Sequence, residues 1–217
     1  MKNVLIAGAS GMIGNLILET CLESSDVSSV KSLVRRHSSI EHLKLQETII
    51  DDFSDFKCHQ AVFQNIDAAF FCIGVYTGQV PKDQFKLITV NYAVAFAEAI
   101  KHQSPKANLC LLSGAGADRT EKSRTAFAKF KGIAENKISD LGLNFYSFRP
   151  AYIYPVTPRK EPNLMYRVSR VLYPLIKLFG KNASIKSTEL AEAMFKVGIH
   201  GGKKETFENR EILEIIN

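Results

Sequence analysis

The chain has 217 residues, of which 46% are hydrophobic, enough apolar sequence to bury a real core within the size of one domain. Its formal charge of +6 favours acidic ligands such as phosphates, nucleic acid or anionic lipid without choosing among them. Cys21, Cys58, Cys72 and Cys110 are scattered, which excludes a metal-ligand pattern or disulfide framework and reads as reduced thiols in a cytoplasmic protein; no apolar run has the length of a signal peptide's core or approaches the ~20 residues of a membrane span.

The first segment, KNVLIAG, is a short apolar run ending in glycine. MIGNLILETCLES follows, with Ile13, Leu16, Ile17, Thr20 and Cys21 at helical spacing, so strand, turn and helix are predicted. VSSVKSLVR and ETIID predict two more strands, DAAFFCIG a continuous apolar one, and DQFKLITVNYAVAFAEAIKHQ a long amphipathic helix. ANLCLLSG then reads as a strand, SRTAFAKFKGIAENKISDLG as a helix stopped at Gly142, and LNFYSFRP as a strand stopped by Pro150. Apolar strands alternating with helices predict a doubly wound α/β domain, because parallel strands need crossovers and helices supply them. Past Pro150 the rhythm changes: AYIYPVTPRKEPN reads as a loop, LMYRVSRVLYPLIKLFG as a helix interrupted by Pro174, STELAEAMFKVGIHG as a helix capped by Ser187 or Thr188, and EILEII as a short edge strand. One domain over 1–217 is expected, with 151–200 as a substrate-side or lid-like extension.

The first turn reads Gly8-Ala9-Ser10-Gly11-Met12-Ile13-Gly14. Glycines at this spacing let the chain turn tightly, bring its backbone up to a pyrophosphate and pack the helix close to the strand. The helix N-terminus then offers free N–H groups to phosphate. About 20 residues further on, an NAD-binding protein carries an acid for the ribose. Here the sequence is LVRRHSS, without a carboxylate. Arg35 and Arg36 suit a 2′-phosphate, so NADP is expected over NAD, against the plainer reading of a solvated surface pair. Asp51, at the end of the third strand, reads either as an acceptor for the adenine amine or as a cap, and Phe53 either as a packing surface for the ring or as core.

With these residues in place the chain resembles the short-chain dehydrogenase/reductase superfamily, in its atypical, NmrA-like and Tat-interacting-protein-like NAD(P)-binding branch. The resemblance runs from GASGMIG through CIG at 72–74 and LLSGAGAD at 111–118 to FRP at 148–150. It implies a Rossmann fold and adds Asp52, Cys72, Ile73, Gly74 and Pro150 to the cofactor-binding set. In active members a tyrosine protonates the substrate carbonyl as hydride arrives, a lysine four residues later lowers the tyrosine's pKa and binds the nicotinamide ribose, a serine holds the substrate oxygen, and an asparagine supports a water relay. Asn91, Ser113 and Lys131 match those positions, but the tyrosine position holds Phe127. General acid catalysis typically supplies ~10² to 10⁴ in rate, so the missing hydroxyl matters. Tyr76, Tyr152 and Tyr154 are the candidate substitutes, each with an alternative reading as a packing aromatic. Without the tyrosine, Ser113 reads equally as a strand-end hydroxyl satisfying a turn.

Between Pro162 and Thr188 no acid occurs, while Arg167, Arg170, Lys177, Lys181 and Lys186 alternate with apolar residues. Such a stretch reads as a surface for anionic membrane or acidic substrate, or as a core-covering helix with a solvated face, and the second reading is preferred. Nucleic-acid binding is not expected. The expectation is therefore an NADP-binding, short-chain-reductase-like protein acting on an unidentified small molecule, or else a non-catalytic NADP(H) sensor or scaffold for a protein partner. Epimerase chemistry is disfavoured because it relies on the same tyrosine.

Overall fold

The computed structural model describes residues 1–157 and 182–217. Seven strands form one sheet: β1 (Lys2–Ala7), β2 (Val27–Val34), β3 (Leu45–Ile49), β4 (Ala68–Phe71), β5 (Asn108–Leu112), β6 (Asn144–Arg149) and, named after two short strands described below, β9 (Thr206–Glu208). Their order is β3-β2-β1-β4-β5-β6-β9, and every pairing is parallel. This is the doubly wound arrangement, with the strand order reversing between β1 and β4.

Helices cover both faces. Val4 and Ile6 point into one core with α1 (Met12–Glu23) and α5 (Ser187–His200); Leu5 and Ala7 point into the other with α3 (Tyr92–Gln103). That is why residues 4–7 are all fully buried and why the strand is a continuous apolar run rather than an alternating one. The second core is rich in aromatic edges: Phe56 meets Phe63 at 4.9 Å between centroids, and Phe63 meets Phe96 at 5.7 Å.

Four elements differ from the sequence reading. The long helix expected over 83–103 is broken into α2 (Lys82–Lys86), a π turn at Leu87–Asn91, and α3. AYIYP is not all loop: β7 (Tyr152–Tyr154) pairs in parallel with β8 (Ser184–Lys186) in a separate ribbon. EILEII is helical, within α6 (Asn209–Ile216), because Ile212, Leu213 and Ile216 recur at helical spacing and Glu211 accepts a hydrogen bond from the Glu208 N–H at 2.8 Å. The sheet edge is closed instead by the three residues of β9. Finally, α5 is capped one residue earlier than expected, at Lys186, whose N–H donates to Glu189 at 2.9 Å.

α5 buries Leu190, Ala193 and Met194 completely, in the same core as α1 and one face of the sheet. Arg167, Arg170, Pro174, Lys177 and Lys181 lie outside the described residues. No helix among the described residues is long and apolar enough to cross a membrane.

Candidate functional site

The glycine turn sits where the strand order reverses. Gly8 has φ +95°, and a Cβ there would lie 2.8 Å from the Cys72 carbonyl carbon and 2.9 Å from the Ile73 nitrogen. The ends of β1 and β4 therefore touch backbone to backbone, an approach open only to glycine. A Cβ on Gly14 would stand 2.2 Å from the Gly8 oxygen, so α1 rests directly on the turn.

Gly11 donates to the Gly8 carbonyl at 3.0 Å and caps α1 without a side-chain acceptor, and no acid stands in the helix's first turn. The N–H groups of Met12 and Ile13 are thus among the helix's orphan donors. Ser10 and Gly11 are exposed beside them, whereas the side chain of Ile13 is core. A cleft of about 410 Å³ opens at this turn, bordered by Ser10, Gly11, Met12, Asn15, Pro155 and Ser187. These features fit a diphosphate: a backbone cradle that side chains would fill, and uncapped donors at the positive end of a helix dipole.

At the end of β2, Arg35 and Arg36 are both exposed. Neither has an ion-pair partner among the described residues. Glu47 of β3, an acid of the neighbouring strand, is occupied: it accepts from the Ser38 N–H at 2.9 Å and meets His37 Nδ1 at 3.2 Å. Burial alone would raise its pKa, but the Ser38 and His37 hydrogen bonds outweigh that and hold it below the usual range. Asp51 and Asp52 are exposed after β3, and Asp52 folds back on Ser54 at 2.7 Å from the Ser54 hydroxyl. Phe53 takes the core alternative, 5% exposed and packed on Phe56 and Tyr92.

Cys72 follows β4, its N–H donating to Ala7 O at 2.8 Å. Burial pushes its thiol up to about 12, so it carries no thiolate chemistry. Ile73 is half-buried and Gly74 exposed on the rim beyond it, and Pro150, buried at the end of β6, accepts from the Ala115 N–H at 2.9 Å.

α4 (Ala126–Ser139) carries the remaining groups. Lys131 reaches across to the end of β5, where its Nζ donates to the Leu112 carbonyl at 2.9 Å. It is a tethered cation rather than a snorkelling one. Desolvation lowers its pKa to about 8, opposed by the charges of Glu135 and Cys72. The folded protein therefore releases this proton well before the unfolded chain does, and stability from this group is least below pH 8 and rises from there toward the ordinary lysine value of 10.5. Lys131→Met is expected to flatten that rise by about 3 kcal/mol in paired denaturant titrations at pH 7 and pH 10; parallel curves for the two proteins would contradict it.

Phe127, one turn before Lys131, is half-buried with the tip of its ring against Gly114; a Cβ on Gly114 would be 2.5 Å from its Cζ. Asn91 is exposed at the last position of the π turn, whose Val90 packs with Phe130 and Ala134 of α4. It makes no hydrogen bond with its side chain among the described residues. The structure thus brings Lys131, Phe127 and Gly114 together and leaves Asn91 at the surface.

Ser113 points elsewhere. Its hydroxyl donates to Glu135 Oε1 at 2.6 Å. Glu135, fully buried, was not anticipated from sequence. The same oxygen accepts from Ser147 Oγ at 2.7 Å and Arg149 Nε at 3.1 Å, and Oε2 accepts from Arg149 Nη2 and from Arg119 Nε at 3.0 Å. Burial alone would raise this carboxyl, but the bonds from Arg149, Ser113 and Ser147 and the Arg149 charge hold it below the usual range. Arg119 also pairs with Glu205, and Arg149 with Glu208 at 2.9 Å. A hydroxyl has one proton to donate, and Ser113 spends it on Glu135.

Comparison with known proteins agrees with the glycine turn. Protein HTATIP2 of Rattus norvegicus is 27% identical over 221 residues, covering 99% of this chain and 89% of the rat protein. The mitochondrial protein fmp52 of Aspergillus clavatus is 29% identical over 149 residues, 65% of this chain and 62% of that protein. The Bordetella bronchiseptica enzyme WbmH, solved in complex with NAD+, shares the fold with a TM-score of 0.73 and 17% identity, over 96% of this chain and 75% of that one. The NAD(P)H-binding family matches residues 8–197, from the first glycine of the turn through most of α5, and the chain belongs to that family.

Proposed function

We propose that the protein binds NADP(H) in preference to NAD(H), with the diphosphate over the glycine turn and the 2′-phosphate received by Arg35 and Arg36. One observation carries the preference: two exposed guanidinium groups without an acidic partner among the described residues, at the place where an NAD-selective protein holds a carboxylate. Lys131 holds its ammonium at the ends of β4 and β5, a position suited to the nicotinamide ribose. Once bound, the dinucleotide supplies hydride. Reducing a carbonyl also takes a proton and a group to hold the carbonyl oxygen: Phe127 has no hydroxyl to supply the first, and the Ser113 hydroxyl, expected at the second, donates to Glu135 instead. Those two residues favour the second reading, a protein whose NADP(H)-bound state serves partner binding rather than carbonyl turnover.

A fluorescence titration with NADPH and NADH tests both points. Replacing Arg35 and Arg36 together by alanine is expected to weaken NADPH by at least about tenfold, since each lost charge-assisted hydrogen bond is worth ~1.5 to 3 kcal/mol, while NADH changes little. Equal loss for both cofactors overturns the 2′-phosphate role. Aldehydes and ketones added to the NADPH complex are expected to cause no steady oxidation; turnover near the ~10 s⁻¹ common among enzymes overturns the sensor reading.

A further inference from the structure

A second cleft, away from the glycine turn, lies between α2 and the start of α4. Its volume is about 310 Å³. Lys82 and Lys86 of α2 border it on one side, Arg124 and Lys129 on the other, with Asp83 as the one acid of the lining. All four cations are exposed, and none forms an ion pair among the described residues. The floor is apolar: Phe130 is 6% exposed and stacks at a tilt on Phe85, with Ile133 half-buried beside it.

Four cations face one acid here, so the cleft carries a net positive charge. Lys82 and Lys86 are four apart on one helix face, where like charges destabilise by a few tenths of a kcal/mol, about 0.2–0.5. Two other helical cations are paired: Lys196 with Glu192 at 2.9 Å and Arg210 with Glu214 at 3.1 Å, each at helical spacing. α4 also begins at this cleft with no side-chain cap and no acid in its first turn, which adds to the positive potential. A two-fold contact with a second copy would set these cations against themselves. A free phosphate would use the rim and leave the apolar floor bare.

We infer that this cleft is a docking site for an acidic segment of a protein partner, its carboxylates meeting Lys82, Lys86, Arg124 and Lys129 and an apolar side chain covering Phe130 and Ile133. The site is independent of the dinucleotide and stands or falls without it.

The probe is a short fluorescein-labelled peptide of glutamates with one central phenylalanine, followed by fluorescence anisotropy at low salt against the full chain. Reversing Lys82, Lys86 and Lys129 together to glutamate is expected to weaken binding by at least about tenfold. Reversing Lys106, Lys137 and Lys203, exposed and outside the cleft, changes the net charge equally and is expected to leave binding within about twofold. Circular dichroism and thermal melts confirm that both variants remain folded. Equal loss in the two triple variants reduces the effect to net charge and overturns the proposal. So does equal affinity for the peptide with serine in place of phenylalanine, or full displacement by inorganic phosphate at millimolar concentration.

Discussion

Glu135→Ala is expected to remove about 3–5 kcal/mol of stability, the range for stripping one partner from a buried ionic cluster. The carboxylate accepts five hydrogen bonds, from Ser113, Ser147, Arg119 and twice from Arg149. Its loss leaves two buried hydroxyls without an acceptor and Arg149, 14% exposed in its side chain, with Glu208 alone. At roughly 2–4 °C per kcal/mol for a chain of this size, the melting temperature falls by about 6–20 °C. The variant also changes the acid limb. Since the folded carboxyl is held below its ordinary value, its contribution is complete above that value and lost as pH falls through the lower folded one. Wild type therefore loses its margin over Glu135→Ala on acidification, and a margin independent of pH would show that the alanine acts only through lost packing.

Gly14→Val is expected to weaken NADPH by about 100-fold or more, close to 2.7 kcal/mol. Even a methyl group at this position would stand 2.2 Å from the Gly8 oxygen and 2.7 Å from the Gly8 carbon, contacts that backbone cannot yield to without moving the helix. α1 must lift from the turn, carrying the Met12 and Ile13 N–H groups out of line with the phosphates. The predicted sign is a large affinity loss with a smaller stability loss, about 1–3 kcal/mol from overpacking. Isothermal titration and a denaturant melt on the same protein separate the two, and unchanged affinity would mean that phosphate is held elsewhere.

The strand and helix rhythm was legible because each central strand is buried on both faces, which makes it a continuous apolar run bounded by glycine or polar residues. The glycine turn was legible because Gly8 and Gly14 are dictated by close backbone contacts that no other residue allows. Three-residue strands such as β7 and β9 carry too little pattern to register, and Glu211 with the apolar spacing that follows was misread as strand. The Glu135 cluster was hidden for a different reason: the partners lie 12 to 22 residues from Glu135 along the chain, and a glutamate in an amphipathic helix reads as surface. One signal was present. Ser147 and Arg149 share a face with Phe145 in a strand expected to be buried, and polar residues on a buried face require partners.

Arg119 and Glu205 meet across 86 residues of sequence, and Arg149 and Glu208 across 59. During synthesis the arginines leave the ribosome long before Glu205 and Glu208, their second carboxylate partners after Glu135, and β6 waits with an open edge for β9. Closing loops of that length slows folding and prolongs exposure of unpaired strand. The nascent chain is accordingly most open to proteases and chaperones until β9 emerges.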